Sequence, residues 1–356
     1  MLTKNKSEDN RIFYFDLLRV IACLFVVIIH SSAKYVVKDI GSFNFWVGNF
    51  FDSIVRSGVP IFVMISGALM LDEHYKFTKA KLIKHINKMI VFFFFWSVVY
   101  YLYFNIFKYV ILNKGSICVI NDIIYLVKGH FHLWFAYLII GLYLIVPLLR
   151  LWVKDENKKY VEYFIALSII FTYLIPQIIS IGSYYSNIFE ELNYIIEKHL
   201  QLKYIGGYTS YFILGWYLHN YDLKNKKLVV ILGGLGLIIT LFGTYILSSS
   251  LGKPIQMYDN LSINVLLQSV AIFIFIKSKF TDKNTTKNKL ISSIAKYSLG
   301  IYGIHVMIIT VIYEFLDKMS FDIAIVNIPA VFIISFIISY LITFMFSYIP
   351  ILKKIV

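Results

Sequence analysis

Charged residues and cysteines are both scarce in this chain of 356 residues. Asp, Glu, Lys and Arg make up 15% of it, whereas soluble domains contain about a quarter. The two cysteines, Cys23 and Cys118, exclude a disulfide framework, and no Cys or His spacing is typical of a zinc site. The sequence also lacks a phosphate-binding P-loop and the G-x-S-x-G nucleophile elbow. We therefore expect neither a soluble module nor a bound metal ion.

Hydrophobic residues are correspondingly abundant, at 59%, and they form ten runs long enough to cross about 30 Å of hydrocarbon. The runs are continuously apolar rather than alternating, which favours helices over the strands of a membrane barrel. The sequence thus predicts an all-α integral membrane protein, a single domain over residues 1–356 with about ten transmembrane helices. The predicted spans are Ile12–Ala33, Phe50–Leu71, Ile90–Ile111, Leu133–Val153, Val161–Ser180, Tyr204–His219, Leu228–Leu247, Leu261–Ile276, Tyr297–Phe315 and Ile323–Ile349.

The net charge of +14 arises from Lys and Arg in short segments between these runs. Such an excess in a soluble protein would suggest nucleic acid as a partner, but here it is better explained by membrane topology. With the N-terminus inside, 23 of the 34 Lys and Arg fall in inner segments and nine in outer loops. We therefore expect a multi-pass protein of the cell membrane with both termini in the cytoplasm, the lipid bilayer as a partner and no nucleic acid.

One outer loop, at residues 181–203, has an internal pattern of its own. Apolar residues recur at helical spacing over Asn187–Leu200, with three glutamates between them. This pattern predicts an amphipathic helix that lies along the outer face or covers a cavity. A simple extension of the neighbouring span fits the pattern equally well.

The first run contains Asp16, Arg19 and His30, which are expensive residues inside a membrane. Arg19 and His30 are eleven positions apart and so share one helix face, separated by about 16 Å along the axis. Asp16 lies one turn before Arg19 and can pair with it. The alternative is that Arg19 reaches the inner headgroups and His30 lies in the outer ones.

Other polar residues are weaker candidates when each is taken alone. Arg56 precedes Ser57-Gly58-Val59-Pro60, which could bend the second span beside a cavity, or it could lie at the outer interface. His305 lies near the middle of the ninth span, where a lone buried histidine more often contacts a neighbouring helix than a substrate. His130 and His132, at the outer end of the fourth span next to Trp134, fit an interfacial aromatic belt with nearby histidines.

Four segments are informative when they are taken together. The first is Phe15-Asp16-Leu17-Leu18-Arg19-Val20-Ile21-Ala22, with His30 eleven residues after Arg19. The other three run from Gly58 to Gly67, from His132 to Tyr143 and from Tyr297 to His305. In sequence and in order, these segments resemble the motifs of the membrane-bound acyltransferase-3 family. The resemblance extends from Phe15 to His305 and so covers nearly the whole chain.

The resemblance implies a ten-helix enzyme that moves an acyl group, usually acetyl, from cytoplasmic acyl-CoA to a carbohydrate hydroxyl at the outer face. It implies acetyl-CoA as the donor and a surface or lipid-linked polysaccharide as the acceptor. His30 would be catalytic, with Arg19 in support. The expected substrate-binding residues are Asp16, Arg56, His132, Trp134 and His305.

The residues suit this chemistry, because acyl transfer from a thioester needs a base for the acceptor hydroxyl and a neutral histidine can supply it. Whether His30 is that base or carries the acyl group transiently remains open at this point. Two other functions also remain open. The same polar helix face could line the path of a transporter or flippase for a glycan or small polar solute, or the chain could be a membrane scaffold.

Overall fold

A computed structural model describes residues 12–73, 78–106, 119–202, 205–281 and 288–355. Within these ranges it contains fourteen α-helices and no strand, which confirms the predicted helical membrane bundle. The helices are α1 (Phe13–Ser32), α2 (Phe43–Val55), α3 (Gly58–Met70), α4 (Lys79–Tyr101), α5 (Val119–Lys128), α6 (Trp134–Trp152), α7 (Lys158–Ser168), α8 (Ile175–Gly182), α9 (Asn187–Ile195), α10 (Gly207–Asn220), α11 (Lys226–Leu251), α12 (Ile263–Phe280), α13 (Lys289–Lys318) and α14 (Ala324–Phe346). We call the side on which α1 begins the inner side and the side on which it ends the outer side, following the predicted topology.

In the described part of the chain, nine helical segments are long and apolar enough to cross a membrane. They correspond to nine of the ten predicted spans. The exception is the sixth, Tyr204–His219, where α10 has 14 residues and is about 21 Å long. Tyr204 and residues 107–111, at the end of the third predicted span, lie outside the described residues.

Three helical segments begin seven or more residues before their predicted spans. The second starts at Phe43 rather than Phe50, the third at Lys79 rather than Ile90, and the ninth at Lys289 rather than Tyr297. The third segment continues beyond its apolar part, because a helix needs apolar side chains only where lipid surrounds it. Thr78 caps this extension by accepting a hydrogen bond from the backbone N–H of Lys81.

The short helix α10 is buried in the bundle, where it packs on α3. Glycines make this approach possible. A Cβ atom at Gly67 would lie 1.7 Å from the carbonyl oxygen of Phe212, and one at Gly215 would lie 1.9 Å from that of Met64. Close packing through small residues is typical of membrane helices. The surrounding helices thus separate α10 from lipid, so it does not need the length of a lipid-facing span.

The second transmembrane segment breaks where the Gly and Pro residues predicted a bend. Helix α2 ends at Val55 and α3 begins at Gly58, so Arg56 and Ser57 lie at the junction. Helix α1 packs against α2, α3, α13 and α14. This central position brings the polar residues of α1 next to several other helices.

The outer loop contains a separate helix rather than an extension of the preceding span. A turn at residues 183–186 divides α8 from α9. Helix α9 continues as a π-helical turn over Ile196–Leu200 and packs back on α8. A second π-helical segment, Ile169–Leu174, joins α7 to α8. Local π-helices occur frequently at functional sites.

Candidate active site

Four histidine rings meet near the outer end of α1. His30 comes from α1, His305 from the middle of α13, and His130 and His132 from the turn that precedes α6. The ring centroids of His30 and His305 are 5.1 Å apart, those of His30 and His132 are 6.3 Å apart, and those of His132 and His305 are 5.6 Å apart. We refer to His30, His130, His132 and His305 as the histidine cluster.

His132 is buried and its ring is fixed on both sides. Its Nε2 lies 3.4 Å from the carbonyl oxygen of Gly303, and its Nδ1 lies 2.8 Å from Nδ1 of His130. These contacts assign Nε2–H of His132 as the donor to Gly303 and Nδ1–H of His130 as the donor to His132. Burial lowers the pKa of His130 to about 4, which agrees with a neutral ring there. The backbone is fixed too, because the Tyr302 hydroxyl donates to the carbonyl of His132.

His305 is fully buried and is anchored through one nitrogen. Its Nδ1 lies 2.8 Å from the carbonyl oxygen of Tyr302, so we assign the ring proton to Nδ1. Its Nε2 is buried without a hydrogen-bond partner among the described residues. A buried polar atom without a partner is costly and calls for an explanation. The neighbouring ring of His30 is in a position to provide that hydrogen-bond partner.

His30, like His130, is partly exposed, whereas His132 and His305 are buried. In the described part of the structure its ring nitrogens make no hydrogen bond to protein, and its contacts are the rings of Phe131, His132 and His305. Both nitrogens therefore remain able to contact a substrate or His305. This is the arrangement that a general base requires.

A cavity of about 200 Å³ lies on the inner side of the cluster. Arg19, His85 and Lys88 supply its basic groups, and Arg19 also forms the predicted ion pair with Asp16, with Nη1 and Oδ1 3.1 Å apart. The apolar part of its lining consists of Val26, Val59, Phe62, Met89, Phe135, Ile139 and Leu299. The cavity reaches Tyr302, one turn of α13 before His305, and the Tyr302 ring packs on those of His132 and His305.

Arg56 forms a second buried group beside the end of α1. It is paired with Asp52, which is fully buried, and its guanidinium lies over the ring of Tyr258 at 4.0 Å. Asp52 also accepts a hydrogen bond of 3.3 Å from Ser32, two residues after His30. Within the described ranges the buried Nε–H of Arg56 has no partner. The Asp52 carboxylate and the Tyr258 ring thus hold the Arg56 side chain in one position.

The structure thus distributes the predicted site residues over three places. His30, His132 and His305 belong to the histidine cluster, Arg19 and Asp16 lie at the inner cavity, and Arg56 lies beside the end of α1. Trp134 is separate from all three, because it is 40% exposed and packs on Tyr208 with ring centroids 5.7 Å apart.

The predicted site residues do not include several that the structure places at the site. They are Asp52, His85, Lys88, His130 and Tyr302. Two local signals were available, namely the spacing of Asp52 four residues before Arg56 and the His-x-His pattern at 130–132. Among the described residues no group of His, Cys, Asp and Glu could hold a metal ion.

Comparison with known proteins gives one match. The model of a protein family described as "Acyltransferase domain", the acyltransferase-3 family, matches residues 12–345. No curated protein and no solved structure is significantly similar to the chain. A match over nearly the whole chain makes it an acyltransferase that transfers groups other than aminoacyl groups, and gives no support to a transporter or flippase. The chain therefore belongs to the membrane-bound acyltransferase-3 family.

Proposed function

We propose that this enzyme is an O-acetyltransferase of the cell membrane, with both termini in the cytoplasm. It takes the acetyl group of acetyl-CoA and transfers it to a hydroxyl of a surface or lipid-linked polysaccharide. The observation that supports this proposal best is the inner cavity, which has basic groups at Arg19, His85 and Lys88 and extends to Tyr302, whose ring packs on His132 and His305.

The donor would bind in this cavity. Basic side chains attract the CoA phosphates, and Arg19 can also contact a phosphate or carbonyl oxygen through its planar guanidinium. The apolar remainder suits the slender pantetheine arm and its thioester. A volume of about 200 Å³ favours a short acyl group, such as acetyl, over a long fatty chain.

His30 would then act as the general base from the partly exposed end of α1. It takes the proton of the acceptor hydroxyl while the hydroxyl oxygen attacks the thioester carbon. A C–O bond forms, the C–S bond breaks, and the proton passes to the sulfur to give CoA-SH. We favour this role over a transient acyl-histidine because a thioester is already activated.

His305 would position and support His30. Its proton is held on Nδ1 by the carbonyl of Tyr302, so its Nε2 can accept a hydrogen bond from His30, directly or through a water. That bond strengthens when His30 becomes positively charged in the transition state. Arg56, whose side chain is 17% exposed, would bind the acceptor close to His30.

The test uses purified enzyme, acetyl-CoA labelled in the acetyl group, and membranes of the source organism, which contain the natural lipid-linked and surface glycans. Wild-type enzyme should release CoA and transfer label to a hydroxylamine-sensitive glycan ester. His30→Ala should lose about 10²- to 10⁴-fold of this activity. His199→Ala is the matched control, because this histidine is exposed and packs on Tyr194 away from the histidine cluster. Equal activity of His30→Ala and wild type at matched abundance would contradict the proposal.

A further inference from the structure

A second cavity, of about 220 Å³, lies on the outer side of the bundle. Helix α9 and its π-helical continuation form one wall, and the α7–α8 segment, the end of α11 and the loop before α12 form the others. It is rich in groups that bind hydroxyls. These are Gln177, Tyr184, Asn193, Glu197, Gln256 and Asp259.

Some of these groups hold the walls in place. Gln177 donates from Nε2 to Oδ1 of Asn264 at 2.8 Å and accepts at Oε1 from the backbone N–H of Ile263 at 2.7 Å. Asp259 accepts from the backbone N–H of Leu261 at 2.8 Å. These bonds tie the α7–α8 segment to the start of α12, so the cavity has a defined shape without a ligand.

Other polar groups around the cavity lack protein partners among the described residues. The side chains of Asn193, Glu197 and Gln256 make no hydrogen bond there, and the 2%-exposed Thr172 has a buried hydroxyl without a partner. Thr172 and Glu197 each belong to a π-helical segment. Two such irregular segments in the walls of one cavity, together with unused donors and acceptors, indicate a binding site.

Aromatic side chains connect this cavity to the histidine cluster along the outer side. Asn260, next to Asp259, donates to the hydroxyl of Tyr208 at 3.1 Å, and Tyr208 packs on Trp134. Trp134 follows His132 by two residues, and the 65%-exposed Phe131 packs on His30 with ring centroids 5.6 Å apart. An extended ligand could therefore contact the cavity and His30 together.

We propose that the outer cavity binds sugar units of a neutral glycan next to the unit that receives the acetyl group. Amides, hydroxyls and carboxylates are the side chains that hydrogen-bond sugar hydroxyls. The carboxylates of Glu197 and Asp259 strengthen such bonds and repel uronic acids or phosphates. This inference rests on the proposed function, since it assigns the acceptor of the same reaction.

The experiment measures binding of three trisaccharides to the purified full-length protein by saturation-transfer NMR. The neutral probes are maltotriose and the trimer of N-acetylglucosamine, and the acidic probe is trigalacturonate. We expect at least one neutral probe to bind wild type and trigalacturonate not to bind. Glu197→Gln should weaken binding of that neutral probe about tenfold, since it removes a charge-assisted hydrogen bond. Glu191→Gln, on the same helix and outside the cavity lining, should bind like wild type.

The proposal is overturned if no neutral probe binds, if trigalacturonate binds more tightly, or if Glu197→Gln and Glu191→Gln bind equally. Failure of the proposed function gives a different result, because it appears as absent CoA release with membrane acceptors whatever the binding of trisaccharides.

Discussion

Replacement of His305 by leucine tests the pairing of the two central imidazoles. His305 is fully buried, and its unpartnered Nε2 belongs to a ring centred 5.1 Å from that of His30. A hydrogen bond to a charged group contributes about 1.5–3 kcal/mol. If His305 supports His30 as it becomes positively charged, His305→Leu should lower kcat by about 10- to 150-fold. His305→Gln, which can present an amide oxygen near the position of Nε2, should recover part of this loss.

The assay compares kcat, acetyl-CoA affinity and thermal unfolding for both variants in detergent. Affinity for acetyl-CoA should stay close to that of wild type, because His305 is absent from the lining of the inner cavity. The double variant His30→Ala/His305→Leu should be no slower than His30→Ala, since the two side chains act as a unit. Wild-type kcat in a folded His305→Leu variant would refute the pairing. A loss larger than that of His30→Ala would instead assign the base to His305.

Three further predictions concern the donor site, the topology and the packing of α10. Arg19→Ala should weaken acetyl-CoA binding in calorimetric titration. Arg19→Lys should restore part of the affinity if the positive charge matters rather than the planar shape of the guanidinium group. Unchanged affinity in Arg19→Ala would exclude a role of Arg19 in donor binding. In intact cells, Lys253→Cys should react with an impermeant thiol reagent and Lys226→Cys should not. Labelling of Lys226→Cys from outside would contradict the predicted cytoplasmic position of the N-terminus. Gly215→Ala should prevent folding, because the added Cβ would lie 1.9 Å from a carbonyl oxygen of α3. Size-exclusion chromatography should then show no monodisperse peak. Gly234→Ala is the control and should fold normally, because a Cβ at Gly234 would meet open space.

Much of the fold follows from local properties of the sequence. Nine of the ten predicted spans appear as helical segments of sufficient length, because continuous apolar runs in lipid have few alternatives to a helix. The break before Gly58 and the ion pair between Asp16 and Arg19 were also predictable. Both depend on residues within one turn of each other, and the geometry of a helix settles such contacts.

The length of α10 was not predictable from its composition, because a run of apolar residues does not show whether lipid or protein surrounds it. The structure places α10 against α3, where Gly67 and Gly215 allow the two backbones to meet. The surrounding helices cover it, so a helix of 14 residues suffices where a lipid-facing span would need about 20. Both glycines can be read from the sequence, but the close contact between α3 and α10 that requires them appears only in the structure.

The sequence by itself determined that the chain is a helical membrane protein of this acyltransferase family, and it identified Arg19 and His30 as residues on one helix face. Tertiary structure decided what surrounds them. His130, His132 and His305 are 100 or more residues from His30 in the chain, and no local pattern could show that their rings meet. The rings meet because α13 and the turn before α6 pack around α1. That packing depends on many contacts between segments that are distant in the sequence. For that reason the histidine tautomers can be assigned, and the unpartnered Nε2 of His305 identified, only from the folded protein.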